Sequence, residues 1–268
     1  MALLEMSFQS DVLGFEQQLA VILPDPRALK LEENGAPDTD DLTVLYLLHG
    51  YHGNHLDWTR YTMLERFVEE SRKKIAVVMP SGLTYYYADM ARGWKYFTYI
   101  AEEVPLLAKS YFHISAKPEN THVAGLSMGG AGSVKLALTY PERYATVSSF
   151  SGALDPVGRA NKIDVIAPER AAHYNNLYGD DKQARIGGAE DIMHLLDVAA
   201  ASGKKLPEIY QACGTADFLW EDNLAFRDKA LSLGYDLEFY QEEGVGHEWT
   251  FWNSEVKKLI DRLPASAI

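Results

Sequence analysis

The sequence predicts an α/β fold in which helices cover both faces of a mostly parallel central sheet. Short apolar runs alternate with longer helical stretches along the chain, a pattern typical of consecutive strand–helix–strand units. Several runs, such as residues 43–48, are apolar at nearly every position, as expected for strands covered on both faces. The 268 residues show no internal repeat and no linker, so we predict a single domain over residues 1–268.

The order of these runs gives the predicted elements. Strands are expected at 19–23, 43–48, 75–79, 121–124, 144–150, 208–213 and 236–240, several of them ended by Pro or Gly. Helices are expected at about 60–72, 99–112, 130–139, 190–202, 221–233 and 251–262. Residues 26–41 are rich in Pro, Gly, Asn and acidic side chains, which predicts a solvated connection.

Residues 155–189 break the alternation of strands and helices. They contain the turn signals Asp155-Pro156, Ala167-Pro168 and Gly187-Gly188, and they have mixed helical character without a strong strand. In open α/β sheets, ligands bind at the carboxyl ends of the strands, and an excursion of this kind commonly lies there. We therefore predict a small cap insertion over the site; a surface insertion without a role is the alternative.

The segment Gly125-Leu126-Ser127-Met128-Gly129 lies between the predicted strand 121–124 and the predicted helix 130–139. A G-x-S-x-G sequence between a strand and a helix indicates a nucleophile elbow, a sharp turn that holds the serine in a strained conformation. The flanking glycines let the strand and the helix approach without a side-chain clash. We therefore predict that Ser127 is a nucleophile, against the alternative of a structural turn.

A serine hydroxyl needs a neighbouring base, and the base needs an orienting acid. On this kind of sheet the chain order is serine, acid, histidine. His247 lies on a glycine-containing loop after the last predicted strand and is favoured as the base over His194, which lies in a helical stretch. Asp217 directly follows strand 208–213 and is favoured as the acid; its weaker rivals are Glu221, Asp222 and Asp155.

Attack on a carbonyl creates an oxyanion, which needs preorganised donors. We assign one donor to the backbone N–H of Met128, the residue after the nucleophile. The second should come from the loop after strand 43–48, where we assign the N–H of Tyr51, with Gly50 as the alternative. His49 is expected to brace this loop.

Three histidines at three-residue spacing, His49, His52 and His55, also suggest a metal site. Two glycines interrupt the segment and carboxylates are not clustered there, so we predict neither a metal nor a cofactor. The single cysteine, Cys213, excludes an internal disulfide and is expected to be a buried thiol.

Composition limits the partners. A formal charge of −13 argues against nucleic acid and anionic membrane surfaces. The amino-terminal residues show no signal peptide, and no stretch approaches the roughly 18 apolar residues of a membrane span. We therefore expect a cytoplasmic protein without nucleic-acid or membrane partners; the predicted serine, acid and base imply that its substrate is a small-molecule ester.

Aromatic side chains are expected to line the pocket. Trp58 lies near the predicted oxyanion loop and Trp249 near His247, so we predict both as pocket walls together with Gly50. About half of the aromatics in 85–87 and 94–99 should pack in the core instead. No clustered arginines are evident, so the sequence predicts an uncharged pocket for small neutral or phenolic esters and not for phosphate esters.

Four sequence blocks together resemble the esterase D family of α/β hydrolases, and most closely its tributyrin-esterase branch of small bacterial carboxylesterases. These blocks are His49-Gly50-Tyr51-His52-Gly53-Asn54, Gly125-Leu126-Ser127-Met128-Gly129-Gly130, Gly214-Thr215-Ala216-Asp217-Phe218-Leu219 and Gly246-His247-Glu248-Trp249-Thr250-Phe251-Trp252. The resemblance extends from about residue 6 to 262. It implies the α/β-hydrolase fold and hydrolysis of short-chain acyl esters by Ser127, Asp217 and His247.

The same family includes S-formylglutathione hydrolases, feruloyl and acetyl-carbohydrate esterases, and mycolyl transferases, so the resemblance does not fix the substrate. Tyr51 departs from the smaller or aliphatic residue of many relatives, which affects the shape of the acyl pocket. A thioesterase or an acyltransferase with the same triad, and a non-catalytic binding scaffold, are the alternatives. Relatives often self-associate, so a homo-oligomer is expected.

Overall fold

An eight-stranded sheet forms the centre of the described part of the chain. The computed structural model describes residues 1–25, 42–112, 114 and 117–264, so the predicted connection 26–41 lies outside the described residues. The strands are β1 (Ala2–Gln9), β2 (Glu16–Leu23), β3 (Thr43–Leu48), β4 (Ile75–Pro80), β5 (Thr121–Leu126), β6 (Thr146–Phe150), β7 (Glu208–Gly214) and β8 (Leu237–Glu242). Their order is β1-β2-β4-β3-β5-β6-β7-β8. Strands β3 to β8 are parallel, and β2 is antiparallel to both β1 and β4, which confirms the predicted mostly parallel sheet.

Helices follow most of the strands. They are α1 (Asp57–Tyr61), α2 (Leu64–Ser71), α3 (Tyr96–Thr98), α4 (Val104–Phe112), α5 (Met128–Thr139), α6 (Pro156–Asn161), α7 (Ile163–Ile166), α8 (Ala171–Tyr178), α9 (Ile192–Ala201), α10 (Trp220–Ser232) and α11 (Trp249–Arg262). The predicted helix at 60–72 is two helices, α1 and α2. The other predicted helices are present with ends shifted by a few residues. The exception is the predicted helix 99–112, whose first turn is not α-helical.

The segment 99–112 begins with a π-helical turn at Tyr99–Glu103, which α4 follows. Pro105 has no N–H to offer the Ala101 carbonyl four residues before it. That carbonyl accepts a hydrogen bond at 3.0 Å from the guanidinium of Arg143 instead. A side chain distant in the sequence thus satisfies a carbonyl that the helix leaves open.

Strand β1 was not expected from the sequence. It is an edge strand whose residues are mostly exposed on both faces, so it lacks the apolar run that marks the inner strands. Its eight residues pair one to one with those of β2. This segment is a strand because it pairs with β2; its own sequence has no clear strand pattern.

Each face of the sheet carries its own apolar core. Val44 and Tyr46 of β3 belong to the core beneath α4, α5, α9 and α10, whereas Leu45 and Leu47 belong to the core beneath α1, α2 and α11. Alternate residues of one strand therefore contact opposite layers, which is why nearly every residue of the strand is apolar. The prediction of helices on both faces is confirmed.

The segment 155–189 holds α6, α7 and α8 and has a small apolar cluster of its own. Ile163, Tyr174 and Leu177 belong to this cluster, and Ala88 from the segment after β4 completes it. The guanidinium of Arg185, which is 4% exposed, donates to the Ala160 carbonyl at 3.0 Å, to the Asn175 amide oxygen at 2.8 Å and to the Gly179 carbonyl. A buried arginine thus ties the excursion together.

Candidate active site

A cavity of about 720 Å³ lies at the carboxyl ends of the parallel strands. Ser127 and His247, which follow β5 and β8, line it. Asp217, which follows β7, lies behind His247 at 4% exposure. Because neighbouring parallel strands end at the same edge of the sheet, residues 30 to 120 positions apart meet here.

Ser127 occupies the strained turn that the sequence predicts. Its φ is 53° and its ψ −117°, a conformation that non-glycine residues rarely adopt. Gly129 is required on the helical side, since a Cβ there would overlap the Leu48 carbonyl oxygen and lie 2.6 Å from that of His49. Backbone atoms of β3 cannot retreat as a side chain can, so the close contact between α5 and the sheet depends on this glycine.

Three side chains form a continuous hydrogen-bond chain. His247 Nδ1 lies 2.8 Å from Asp217 Oδ2, and His247 Nε2 lies 3.0 Å from Ser127 Oγ. A carboxylate only accepts, so Nδ1 carries the proton and Nε2 accepts from the serine hydroxyl. This arrangement is the one in which a histidine can remove the serine proton.

The Asp217 carboxylate is kept charged by its hydrogen bonds. Burial alone raises its pKa, but the hydrogen bond and charge of His247, the Leu219 N–H and the Ser151 hydroxyl together hold the pKa of Asp217 below its ordinary value. The Leu219 N–H donates to Oδ1 at 2.8 Å. A charged carboxylate fixes the orientation of the imidazole and favours the imidazolium that forms when the base takes a proton.

The other candidates for acid and base have different partners. The carboxylate of Asp155 caps α6 by accepting from the Gly158 N–H at 2.8 Å. Asp222 pairs with Arg159 at 2.5 Å. Glu221 and His194 lie on helices α10 and α9. None of the four hydrogen-bonds to Ser127 or His247 within the described residues.

Two aromatic rings hold the imidazole of His247 in place. Phe218, which is 66% exposed, lies with its ring centroid 4.6 Å away, and buried Trp252 meets the imidazole edge-on at 4.8 Å. Sequence reasoning included both residues in the family blocks but did not assign them to the site. Their spacing from Asp217 and His247 was the signal that could have identified them.

The loop after β3 approaches the nucleophile closely. A Cβ on Gly50 would overlap Leu126 Cδ1 and lie 3.6 Å from Ser127 Cβ. His49 Nε2 accepts from the Gly82 N–H at 2.8 Å, so its Nδ1 donates to the Gly50 carbonyl at 2.7 Å. Burial lowers the pKa of His49 to about 4, which keeps this tautomer neutral. His49 thus braces the loop, as the sequence predicts.

Both ring nitrogens of His49 bond to backbone groups, so it has no free atom for a metal. The described residues contain no group of three or more His, Cys, Asp or Glu side chains arranged to hold a metal ion. Cys213 is fully buried, and burial raises the pKa of its thiol to about 12, so it is not a nucleophile at neutral pH.

The pocket walls differ partly from those predicted. Trp249 and Gly50 line the cavity. Trp58 does not: it is 1% exposed, donates its indole N–H to the Leu48 carbonyl at 3.1 Å and packs edge-on behind Trp249. The prediction for Trp58 is corrected to a supporting role, because the turn after β3 directs its ring into the core below α1.

Among the aromatics that follow β4, Tyr86 lines the cavity. Tyr87 is fully buried and donates its hydroxyl proton to the His49 carbonyl at 2.9 Å. The aromatic residues after β4 are thus divided between the pocket and the core, as expected: Tyr86 lines the cavity and its neighbour Tyr87 is buried.

The prediction of an uncharged pocket is wrong. Arg159 and Arg170 line the cavity, as do Asp57 and Glu169. Arg159 pairs with Asp222, whereas the Arg170 guanidinium lies 5.3 Å from the centre of the Tyr51 ring. These arginines belong to the excursion 155–189, and only the fold brings them to the nucleophile.

Comparisons with known proteins identify the family to which the chain belongs. The family model described as Putative esterase matches residues 10–263. An acetyl esterase from Caldicellulosiruptor saccharolyticus is 33% identical over 265 residues, 97% of each chain. The substrate-bound structure of FphF, a fluorophosphonate-binding serine hydrolase from Staphylococcus aureus, is 30% identical with a TM-score of 0.84, covering 97% of this chain and 96% of that one.

An S-formylglutathione hydrolase, FrmB, from Staphylococcus aureus is also 30% identical, with a TM-score of 0.79 and 97% coverage of both chains. The chain therefore belongs to the esterase family. It has the α/β-hydrolase fold and is a serine carboxylesterase. No helix among the described residues has the length and apolar character needed to cross a membrane.

Proposed function

We propose that this esterase hydrolyses short-chain acyl esters through an acyl-enzyme on Ser127, with His247 as the base and Asp217 as its orienting acid. The hydrogen-bond chain from Asp217 through His247 to Ser127, at 2.8 and 3.0 Å, is the observation that carries this proposal. The name of the acetyl esterase relative supports a short acyl group. It also fits the tributyrin-esterase branch that the sequence resembles.

In the first half of the reaction, Ser127 Oγ attacks the ester carbonyl carbon while its proton moves to His247 Nε2. The tetrahedral intermediate collapses as the bond to the alcohol oxygen breaks, and that oxygen takes the proton from Nε2. In the second half, water attacks the acyl carbon and gives a proton to Nε2. The bond to Oγ breaks, the carboxylic acid leaves, and the proton returns to Ser127.

We assign the oxyanion donors to the backbone N–H groups of Met128 and Tyr51. Met128 is the first residue of α5, and N–H groups in the first turn of a helix have no partner within it. Tyr51 follows Gly50, whose carbonyl His49 holds. This positioning supports Tyr51 as the second donor, because the peptide that carries its N–H contains that carbonyl.

We also propose that residues 155–189 act as a cap on a single domain. Ile163, Ile166, Arg170 and Tyr174 from this segment line the same cavity as Ser127. The apolar side chains among them suit acyl or phenolic groups. A cytoplasmic location and self-association stay predictions from the sequence.

The test is hydrolysis of p-nitrophenyl acetate and butyrate by wild type and by Ser127→Ala. We expect kcat to fall about 10³-fold or more in the variant, and a fluorophosphonate probe to label wild type alone. Ser254→Ala, an exposed serine on α11, is the matched control and should keep full activity. Unchanged turnover by Ser127→Ala would exclude this mechanism.

A thioesterase that acts on an acyl-glutathione-like substrate is the second candidate. The structural neighbour named S-formylglutathione hydrolase and the two cap arginines in the cavity favour it, since a glutathione leaving group carries carboxylates. The ratio of kcat/KM for S-formylglutathione to that for p-nitrophenyl acetate separates the two activities. Product analysis with added sugar alcohols separates hydrolysis from acyl transfer, because a transferase yields new ester.

A further inference from the structure

Arg159 extends from the proposed cap to the segment that follows Asp217. It lies on α6, one turn after Asp155, whose carbonyl accepts the Arg159 N–H at 3.0 Å. Its Nε donates to Asp222 Oδ2 at 2.5 Å, and its Nη2 donates to the Phe218 carbonyl at 3.2 Å. The guanidinium thus holds two points of the chain between β7 and the middle of α10.

The ion pair between Arg159 and Asp222 fixes the guanidinium in place. Both side chains are mostly buried, so water screens the two charges less than it would on an open surface. A guanidinium donates from a planar fork, and two donors bound to separate acceptors define its orientation. Arg159 is therefore a fixed group and not a mobile surface cation.

The same guanidinium contacts the aromatic ring that lies against the imidazole. The centre of the Phe218 ring lies 5.6 Å from the guanidinium carbon of Arg159 and 4.6 Å from the centre of the His247 ring. Phe218 is largely exposed, so core packing contributes little to the orientation of its ring. The contacts with Arg159 and His247 therefore matter most for its position.

We propose that Arg159 is a positioning residue for the reaction, which acts through Phe218 to keep the imidazole of His247 directed at Ser127. This inference rests on the proposed function of the triad. Asp217 orients the imidazole through Nδ1, and Phe218 limits how far the ring can tilt. Because Arg159 belongs to the proposed cap, it also couples the position of the cap to that of the base.

Arg143 makes the same three kinds of contact elsewhere in the chain. Its guanidinium lies 3.0 Å from the Glu102 carboxylate, donates to the Ala101 carbonyl at 3.0 Å and lies 4.0 Å from the centre of the Tyr140 ring. Neither Arg143 nor any of these partners lines the cavity that holds Ser127. A matched substitution of Arg143 therefore shows what the loss of such contacts does to stability alone.

The decisive variant is Arg159→Met, which keeps the length of the side chain and removes its charge and its donors. It is made in an Asp222→Asn background, so that no buried carboxylate is left unpaired. Relative to Asp222→Asn alone, we expect kcat for p-nitrophenyl acetate to fall about threefold, while KM stays within twofold. Arg143→Met, the matched control, should lower Tm and keep wild-type kcat.

Two results with Arg159→Met would overturn the inference. A lower Tm with unchanged kcat, the pattern expected for Arg143→Met, would show that Arg159 is purely structural. A rise in KM with unchanged kcat would show that Arg159 binds the substrate and does not position the base.

Phe218→Ala tests whether Arg159 acts through the aromatic ring. The side chain is largely exposed, so the variant is expected to fold. We expect kcat to fall about fivefold, with little further loss when Arg159→Met and Asp222→Asn are added, because the arginine acts through the ring. Losses that multiply would overturn this path. Wild-type kcat in Phe218→Ala would overturn the inference even if the Arg159 variants did not fold.

Failure of this inference is distinguishable from failure of the proposed function. If Ser127→Ala is inactive while Arg159→Met keeps the kcat of its Asp222→Asn background, only the role of Arg159 is wrong. If Ser127→Ala keeps its activity, the proposed triad is wrong and this inference is wrong with it.

Discussion

The two ends of the parallel sheet both carry a cavity, and the larger one is not the candidate active site. The cavity at the amino ends of the strands measures about 880 Å³, against about 720 Å³ at the carboxyl ends. Charged residues line the larger cavity, and two of them, Arg262 and Glu238, pair at 2.6 and 2.7 Å. That ion pair neutralises its own two charges, whereas at the carboxyl ends the Asp217 carboxylate orients His247 toward the Ser127 hydroxyl.

The amino and carboxyl ends of the parallel strands differ most in the strain of the backbone beside them. Among the described residues, the non-glycine residues at positive φ that follow strands β3 to β6 are His52, Leu83, Tyr86, Tyr87, Ser127 and Ser151. The other such residue is Arg72, at the end of α2. Strain of this kind persists only where the surrounding structure holds it. Backbone strain, and not cavity size, therefore distinguishes the end of the sheet that holds the candidate active site.

Among these substitutions, Asp217→Asn at the carboxyl ends of the strands should reduce activity the most. The amide keeps the shape of the carboxylate but donates a proton to His247 Nδ1, so the imidazole adopts the wrong tautomer. We expect kcat to fall about 10³- to 10⁴-fold. Asp236→Asn, in the cavity at the amino ends, should stay within twofold of wild type; equal losses in both variants would contradict the assignment of the site.

The buried histidines should make stability depend on pH. Burial lowers the pKa of both His49 and His122 to about 4, whereas the unfolded chain titrates near 6.5. The unfolded state therefore binds more protons between these values. The stabilisation, up to about 3 kcal/mol for each histidine, is complete above pH 6.5 and is lost as the pH falls through 4.

Urea unfolding at several pH values between 4 and 7 measures this loss. His122→Leu should make the free energy of unfolding less steep in pH and leave the activity at pH 7 unchanged, because His122 lies on β5 away from the cavity at the carboxyl ends. His49→Leu should reduce both the slope and the activity. A slope that neither substitution changes would show that other groups cause the acid sensitivity.

Gly53→Ala tests whether the position of the loop after β3 affects catalysis. A Cβ at this position would overlap Asp57 Oδ2 and lie 2.9 Å from His49 Nδ1, so the loop must shift. We expect kcat for p-nitrophenyl acetate to fall about tenfold, less than the full loss of an oxyanion donor, with a smaller change in KM. Gly188→Ala is the control, since its Cβ would meet the Arg185 carbonyl oxygen at an ordinary 3.5 Å. Full activity in Gly53→Ala would argue against Tyr51 as a donor.

Arg170→Ala should have the smallest effect. The guanidinium stacks on the Tyr51 ring, a contact worth about 0.5–1 kcal/mol at an exposed site. We expect KM to rise about two- to fivefold with kcat retained. Arg262→Ala removes a similar contact, to Tyr210 near the amino ends, and should leave KM unchanged. A larger rise in KM for carboxylate-bearing thioesters than for p-nitrophenyl acetate would favour the thioesterase alternative.

The sequence predicted the inner strands well because each carries a local signal. Residues 43–48 are apolar at nearly every position and residues 75–79 at every position, since both faces of these strands are covered. β1 lacks that signal because it is an exposed edge that depends on β2. Trp58 was misplaced for a related reason: its position after β3 is local, but the direction of its ring depends on the packing of α1.

The residues Ser127, Asp217 and His247 could be chosen from the chain alone, because each follows a recognisable strand and the order of the three is fixed by the topology. The tertiary structure decided which groups surround them. Arg159 and Arg170 reach the cavity, and Trp252 meets the imidazole of His247, only because separate elements fold to one edge of the sheet. Local patterns report burial and turns, whereas contacts between distant segments depend on packing that no single stretch of sequence encodes.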